Sequence, residues 1–461
     1  MAKVPKRMQQ RALPRTLAAS IAGLRAGGAL VVDGAWQKLR GRDDSHSSKF
    51  AQAEAHRLVD ELGRLKGTYV KIGQMFALLG EHFLPPVLTR ALHELEAQTS
   101  PLPWEDMEET LRESLGHRWG ELDIEKEAFA AASLAQVHRA RIRATGEQIC
   151  LKVQYPGLAA VIDSDFNAVV RMLRLARWIP AGRDLDDWLE SMRTHLHHEI
   201  DYHREAAMCR HMAERVKGLE VGCVRYRVPR LYPDYCSEQV LAMDYLRGKS
   251  VTEPAIARLS LARRNDLARA MLDLFFYELY EWGVLQTDPN FGNYLIQPGT
   301  DGDELVLLDF GSMLECEDEF LAHLRRLISA GLEEDEAGVV AGLIGLGCLQ
   351  PDASEEGRAL FADFCLHLLE PLRPPQRIPA ERLNRRGQYR WAKSGLMQRA
   401  GKKAVASTAN RHFTTPSRDF ALIARKLTGV FTFISVLGAE FNGYEAVAAH
   451  IARWREREPY G

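Results

Sequence analysis

Two motifs in the second half of the chain combine residue types that phosphate-transfer chemistry uses. Asp288 and Asn293 stand five positions apart in the segment Asp-Pro-Asn-Phe-Gly-Asn (293 − 288 = 5). In phosphotransferases an aspartate at this spacing orients or deprotonates the acceptor, and the asparagine holds Mg2+. Asp309 opens an Asp-Phe-Gly triplet directly after Leu305–Leu308, an apolar run that predicts a short buried strand. A strand-terminal aspartate can bind metal that bridges the phosphates, so Asn293 and Asp309 are candidate magnesium ligands.

A lysine and an acidic segment earlier in the chain could serve the same chemistry. Lys152 lies in the apolar strand Ile149–Val153, where a lysine needs an anion such as a nucleotide phosphate together with a helix carboxylate. The later segment Glu-Ile-Asp-Tyr-His-Arg-Glu offers Glu199, Asp201 and Glu205 as partners. Each feature alone is weak, and about one Asp-x-x-x-x-Asn is expected by chance in such a chain. All four features follow the chain order of a kinase, which predicts an α+β, protein-kinase-like two-lobed fold.

Two absences shape this prediction. No Gly-x-Gly-x-x-Gly precedes Lys152; its place is taken by Ala130, Ala131, Ala132 and Ser133. Alanine does not adopt positive φ as glycine does, so we expect a stiffer phosphate-covering loop. The Asp-Phe-Gly triplet is followed by no Ala-Pro-Glu and by little room for an activation segment, so a peptide-docking platform is not expected.

Other candidate ligands and the overall charge argue against competing classes. The histidines beside the acidic segment, His195, His197 and His198, have no matching ligand set and are interpreted as core or surface residues. The seven cysteines lack zinc or redox spacing and are interpreted as reduced thiols. The net charge of -2 argues against nucleic acid as a partner.

Periodicity predicts the elements that position these residues. The predicted helices cover Leu58–Leu79, Trp104–Leu115, Val161–Val216 with an interruption near Pro180, and most of the chain after Glu317. The predicted strands are Val137–Ile142, Gln148–Val153, Gln239–Met243 and Leu305–Leu308. With 461 residues we expect several parts. They are a basic segment over 1–50, a helical extension over 51–125, a kinase-like N-lobe over 126–246 and a helical C-lobe over 247–461.

Several motifs resemble those of the UbiB/ADCK atypical kinases. Residues 71–74 match the family's Lys-x-Gly-Gln signature, Phe129–Ser133 its alanine-rich loop, and residues 199–201 its Glu-x-Asp motif. Residues 286–290, Gln-Thr-Asp-Pro-Asn, match the branch that supports coenzyme Q biosynthesis in mitochondria and related bacteria. Many other members carry His-Ala-Asp there. The resemblance runs from about Arg15 to Trp454.

The resemblance implies roles for the candidate residues. Lys152 would contact the α and β phosphates of ATP or ADP with Glu205 as its ion-pair partner, and Asp288 would be the catalytic-loop aspartate. The remaining nucleotide contacts would come from the alanine-rich loop and from a hinge formed by Met243, Asp244, Tyr245 and Leu246.

A regulatory group is implied as well. Lys71 and Gln74 lie three residues apart and share one helix face. In the family this helix covers the site where a kinase binds peptide, so Lys71 is expected to face Glu199 and Asp201.

The resemblance also implies partners and a location. Family members are ATPases coupled to quinone-biosynthesis enzymes and lipid intermediates at a membrane. We find no transmembrane helix in the sequence, so we expect a cytoplasmic protein that binds peripherally to the anionic surface of the inner membrane. Two basic stretches could make this contact, residues 1–32 with six Lys or Arg and Arg382–Lys403 with eight, neither containing an acid. A solvated tail or face explains either stretch equally well.

Two other functions stay open at this point. A small-molecule kinase of the aminoglycoside or choline type would share the Asp-x-x-x-x-Asn spacing and the metal motif, although the Lys-x-Gly-Gln signature counts against it. A nucleotide-sensing scaffold with negligible turnover is the other alternative. The sequence is also compatible with a homodimer.

Overall fold

The computed structural model describes residues 68–79, 92, 101–175, 183–408 and 417–457. The basic segment 1–50, the start of the helix predicted from Leu58 and the break near Pro180 lie outside these ranges. The described chain forms two compact units. The first comprises the described residues up to Ala207 together with Arg230–Tyr245, and the second comprises Met208–Pro229 and the described residues from Leu246 onward.

The helices and strands are numbered here in chain order within the described ranges. The helices are α1 (Thr68–Leu79), α2 (Trp104–Leu115), α3 (Leu158–Leu175), α4 (Arg183–Glu199), α5 (Tyr202–Val216), α6 (Pro254–Ala257), α7 (Leu261–Phe276), α8 (Asp318–Leu332), α9 (Glu336–Gly345), α10 (Glu355–Leu368), α11 (Leu396–Thr408), α12 (Arg418–Val436) and α13 (Tyr444–Arg457). The strands are β1 (Leu122–Ala131), β2 (Ala135–Ile142), β3 (Gln148–Gln154), β4 (Glu220–Val221), β5 (Val224–Arg227), β6 (Val240–Asp244), β7 (Val284–Gln286), β8 (Tyr294–Pro298), β9 (Asp303–Leu307) and β10 (Met313–Glu315).

The first unit is built on an antiparallel sheet with strand order β1-β2-β3-β6. Successive side chains of a strand point to opposite faces, and β3 shows why this matters. Ile149, Leu151 and Val153 are fully buried in the core that α2 completes. Cys150 lies on the opposite face, in the cluster that contains Tyr202 of α5. Lys152 shares that second face, so the alternation of β3 directs it towards α5.

The second unit contains two sheets. Strands β4, β5, β9 and β8 form one sheet in that order, with β5 and β9 parallel and the other pairs antiparallel. Strands β7 and β10 form a two-stranded antiparallel ribbon in which Gln286 pairs with Met313. Helices surround these strands, and α12 packs closely on α7. Most side chains of α12 that face the unit are apolar, including Phe431 and Ile434.

The predicted elements agree with the structure where a clear periodicity existed. The helix over Trp104–Leu115 is confirmed as α2, and the long helical region is confirmed as α3, α4 and α5. The four predicted strands are confirmed as β2, β3, β6 and β9, with ends that differ by one or two residues. Six strands were missed: β1, β4, β5, β7, β8 and β10.

The alanine-rich segment needs a correction, because Ala130 and Ala131 do not belong to a loop. They end β1 and pair with Val137 and Gln136 of β2. Only the residues after them, up to the start of β2 at Ala135, form the turn. Hydrogen bonding to β2 outweighs the weak strand preference of alanine here.

Candidate active site

Lys152 and Glu205 form an ion pair inside the first unit. The Nζ of Lys152 lies 2.6 Å from Oε1 of Glu205, and the two side chains are 15% and 1% exposed. Glu205 stands in the first turn of α5. The ring of Tyr202 lies 5.6 Å from the Lys152 ammonium, which adds a cation–π contact. A lysine held in this way is prepared to present its charge to an anion such as a phosphate.

The same strand also fixes the junction between α4 and α5. Gln154 of β3 lies two residues after Lys152, and its Nε2 donates a 2.5 Å hydrogen bond to the carbonyl of Ile200. Asp201 directly precedes α5, and its Oδ1 accepts the N–H of Arg204 in the first turn at 2.9 Å. The Asp201 carboxylate therefore has a role as a helix cap.

Lys71 of α1 pairs with Glu199, the last residue of α4. Their Nζ and Oε1 atoms are 2.5 Å apart, and His195 Nε2 lies 3.5 Å from the same oxygen. Burial works to raise the pKa of Glu199, but the charge of Lys71 and the hydrogen bond with His195 outweigh it and lower that pKa to about 2. The expected contact between Lys71 and Glu199 is therefore present. Gln74 follows on α1, but its side chain is outside the described part.

Helix α1 is held in place by further contacts with α3. The Thr68 hydroxyl donates a hydrogen bond to Asp165. The rings of Phe76 and Phe166 stack with centroids 6.5 Å apart. These contacts bring the Lys-x-Gly-Gln segment into the folded core of the first unit.

The alanine-rich turn is tied to the sheet at both of its ends. The N–H of Ala132 donates to the carbonyl of Ala135 at 2.7 Å, and the Tyr155 hydroxyl donates to the carbonyl of Ala132 at 3.2 Å. The N–H of Tyr155 donates to the carbonyl of Leu134. Ser133 lies at the tip. These bonds fit the expectation of a stiff turn.

The hinge residues have distinct environments. Met243 is buried, and the Asp244 carboxylate accepts hydrogen bonds from the Tyr232 hydroxyl at 2.9 Å and from the N–H of Arg230 at 3.1 Å. Tyr245 stacks edge-on against Phe129 at 5.7 Å. Leu246 belongs to the second unit and is half-buried.

The segment from Asp288 to Asn293 is a compact loop of the second unit. The Asn293 amide donates to the carbonyl of Asp288 at 3.2 Å and to its Oδ2 at 3.1 Å. Asn290 caps the short turn, because its Oδ1 accepts the N–H of Gly292 at 2.8 Å. At the start of the loop the N–H of Thr287 donates to the carbonyl of Ser312 at 2.9 Å. The loop thus has a fixed shape.

Asp309 lies beside Asn293 through the pairing of β8 with β9. Tyr294 is opposite Leu307, and the N–H of Leu308 donates to the carbonyl of Asn293 at 3.0 Å. Asp309 comes next, and its Oδ1 accepts the N–H of Gly311 at 2.9 Å. One end of the hairpin therefore carries both candidate magnesium ligands.

These residues fit Mg2+. The Asn293 Nδ2 is turned to Asp288, which directs the amide oxygen away from that carboxylate. In the described ranges no group of three or more His, Cys, Asp or Glu could hold a metal ion. Mg2+ does not require such a cage, because it is commonly held by one or two protein oxygens, substrate phosphates and water.

Helix α12 contributes residues to the loop that the sequence analysis did not identify. Arg425 lies 3.4 Å from Oδ1 of Asp288. A side chain added at Gly429 would come within 2.1 Å of Pro289, so the helix and the loop touch there. Arg425 and Asp288 are 137 positions apart, and no local pattern links them.

Known proteins provide an independent comparison. The model of the ABC1 atypical kinase-like domain matches residues 94–343. Atypical kinase COQ8, mitochondrial, from Saccharomyces cerevisiae is 26% identical over 84% of this chain and 74% of the yeast protein. Atypical kinase COQ8B, mitochondrial, from Danio rerio is 31% identical over 64% of this chain and 46% of the zebrafish protein.

A solved structure supports the fold. The complex of Rv3197 with erythromycin from Mycobacterium tuberculosis has a TM-score of 0.56, with 21% identity over 86% of this chain and 95% of that chain. The predicted kinase-like fold is confirmed.

Proposed function

The chain belongs to the ABC1 atypical kinase-like family, and from that premise we propose that it is an ATPase or atypical kinase that binds MgATP and supports ubiquinone biosynthesis at a membrane. The enzyme class rests on the family itself. The observation that carries the nucleotide assignment is the ion pair of Lys152 and Glu205 at 2.6 Å. A lysine and glutamate paired in this way are a required part of the kinase machinery.

Each candidate residue has a task in this proposal. Lys152 binds the α and β phosphates while Glu205 holds its ammonium in place. Asp288 orients the attacking water or hydroxyl and accepts its proton at a carboxylate oxygen. Asn293 and Asp309 would hold Mg2+, which when bound neutralises charge on the β and γ phosphates.

The regulatory assignment rests on the Lys71–Glu199 pair. An ordinary protein kinase needs open space for a peptide and an activation segment that binds it. Here β10 begins at Met313 and α8 at Asp318, which leaves little chain for such a segment after Asp309. We therefore assign water or a small acceptor to this enzyme, with Lys71, Gln74, Glu199 and Asp201 controlling access.

The membrane part of the proposal rests on exposed charge. No helix within the described ranges has the length and apolarity to cross a membrane. In the basic stretch Arg382–Lys403, Arg385, Arg386, Lys393 and Lys402 are exposed. Such side chains attract anionic lipid headgroups. The link to ubiquinone biosynthesis and its enzymes rests on the family resemblance.

ATP hydrolysis by the purified protein tests the proposal. We expect Mg2+-dependent turnover that rises on addition of anionic liposomes and a quinone-precursor mimic. The Asp288→Asn variant should lose this turnover and still bind MgATP. Binding of MgATP without turnover under any of these conditions would contradict the proposed ATPase and favour a nucleotide-sensing scaffold.

A further inference from the structure

A buried polar cluster lies next to the Asp288–Asn293 loop in the second unit. Its centre is Lys426 of α12, whose side chain is 1% exposed. Lys426 Nζ donates to Oε1 of Gln286 at 3.1 Å and to the Tyr294 hydroxyl at 2.6 Å. The Tyr294 hydroxyl in turn donates to Oε1 of Gln286 at 2.9 Å. Lys426, Gln286 and Tyr294 are therefore joined by a closed ring of three hydrogen bonds.

The partners of Lys426 occupy a particular place in the chain. Gln286 is the last residue of β7 and Tyr294 is the first residue of β8. The loop that contains Asp288 and Asn293 runs between them. Lys426 thus fixes the distance between the two ends of this loop.

The charge of Lys426 is balanced from another element. Glu278 belongs to the π-helical turn Tyr277–Trp282 and is 1% exposed. Its Oε2 is 3.9 Å from Lys426 Nζ, which is beyond hydrogen-bonding distance. Glu278 compensates the buried charge, whereas the short bonds of Lys426 all go to the loop ends.

A second line of contacts points to the same role. Arg425, the neighbour of Lys426, reaches Asp288, and Gly429 lets α12 approach Pro289. One helix therefore contacts both ends of the loop and its Asp288–Pro289 segment.

We infer that Lys426 is a positioning residue, which clamps Gln286 to Tyr294 and so holds Asp288 and Asn293 in their working geometry. The catalytic consequence of this clamp rests on the proposed function, whereas the clamp itself is a structural property of the loop. Gln286, the first residue of the Gln-Thr-Asp motif, then serves to accept the hydrogen bond of the buried Lys426.

The test uses two variants that separate stability from positioning. Lys426→Met removes the clamp and leaves Glu278 buried without its counter-charge, so the melting temperature should fall. Lys426→Met combined with Glu278→Leu removes both charges, and we expect it to recover most of that melting temperature. The double variant should still show kcat for MgATP hydrolysis reduced by at least about tenfold, with a smaller change in KM. The control Glu278→Gln keeps the clamp and should retain kcat.

Amide hydrogen exchange supplies a readout that does not depend on ATP. The N–H groups of Gly292, Asn293 and Leu308 are bonded within the loop and its flank. They should exchange faster in the double variant than in the wild type, while the N–H of Ile296, bonded to the carbonyl of Lys249, should not change.

The outcomes separate the inference from the proposed function. Recovery of both melting temperature and kcat in the double variant, or unchanged exchange at the loop amides, would overturn the positioning role. If the wild type hydrolyses no ATP, the proposed function fails, and faster exchange at the three loop amides would still establish the clamp.

Discussion

Two buried glutamates, each facing a lysine, have pKa shifts of opposite sign. Glu199 lies 2.5 Å from Lys71, and its pKa is lowered to about 2. Glu278 lies 3.9 Å from Lys426, and burial raises its pKa to about 7 because the lysine charge offsets only part of the desolvation. At Glu199 the short pair with Lys71 favours the carboxylate, whereas at Glu278 the more distant lysine and a hydrogen bond from the Gln286 backbone offset only part of the effect of burial.

The pKa of Glu278 leads to a prediction about stability and pH. The folded pKa of about 7 lies above the ordinary 4.5, so the native state binds this proton more tightly than the unfolded chain does. The contribution of Glu278 is then complete below pH 4.5 and is lost as the pH rises through 7. Between pH 4.5 and pH 7 the difference in unfolding free energy between Glu278→Gln and the wild type should therefore shift in favour of the variant by on the order of 3 kcal/mol. Urea unfolding at a series of pH values measures the difference, and parallel pH profiles would show that the carboxylate does not titrate there.

Lys152 gives a second prediction for single residues. Lys152→Met leaves Glu205 buried without its cation, which should lower the free energy of unfolding by about 3–5 kcal/mol and abolish MgATP binding. The double variant Lys152→Met/Glu205→Gln should regain stability without regaining MgATP binding. Urea unfolding and calorimetric titration with MgATP measure the two effects. Wild-type affinity in either variant would remove Lys152 from the phosphate site.

At the scale of elements, the close approach of α12 to the loop depends on a glycine. A Cβ at Gly429 would lie 2.1 Å from Pro289, so Gly429→Ala must displace the helix or the loop. We expect a loss of about 1–3 kcal/mol in stability, as for other overpacked sites, and a drop in kcat. The matched control is Gly401→Ala at an exposed position of α11, where no atom lies within 4 Å of the added Cβ. It should be neutral or stabilise the protein by up to about 1 kcal/mol through helix propensity. Equal melting temperatures for the two variants would argue against a tight contact at Gly429.

The strands show which elements could be predicted from the sequence and which could not. Strand β3 was predicted because its apolar residues face a core and alternate with Lys152. Strand β1 was missed because most of its residues are exposed and its register shifts between Ile124 and Ala130, so no apolar alternation marks it. Strands β7 and β10 are three residues long, which is too short for any periodicity.

The candidate-site residues that could be predicted are likewise those that lie in short sequence motifs. Asp288, Asn293 and Asp309 carry their signal in short spacings, and the pairing of Lys71 with Glu199 followed from the family resemblance. Lys426 and Gln286 are 140 positions apart and meet only after α12 packs on the loop. Contacts of this kind depend on tertiary packing, which leaves no local pattern.

At the scale of the whole molecule, charge is nearly balanced, so any attraction to a membrane must come from where the charges lie. The net charge is -2. In the basic stretch Arg382–Lys403, some residues form ion pairs within the fold and others are exposed. Arg399 pairs with Glu370 at 2.6 Å and Lys403 pairs with Asp363 at 2.6 Å, so these two serve the fold. Arg385 and Arg386 are exposed, and neither has an ion pair within the described ranges.

We therefore expect the double charge reversal Arg385→Glu/Arg386→Glu to weaken binding to anionic liposomes. Each basic residue near such a surface contributes about 1 kcal/mol, so losing two should reduce the affinity by at least roughly 30-fold, and the two added carboxylates should reduce it further. The control Lys217→Glu/Arg258→Glu makes the same change in net charge at exposed residues outside the stretch. Liposome cosedimentation at low and high salt measures both, since attraction of this kind is screened within about 10 Å at 0.1 M ionic strength. An equal loss in both variants would mean that only net charge matters. Unchanged binding in the first variant would mean that the arginines are solvated and that lipid contact, if the wild type binds, arises elsewhere on the chain.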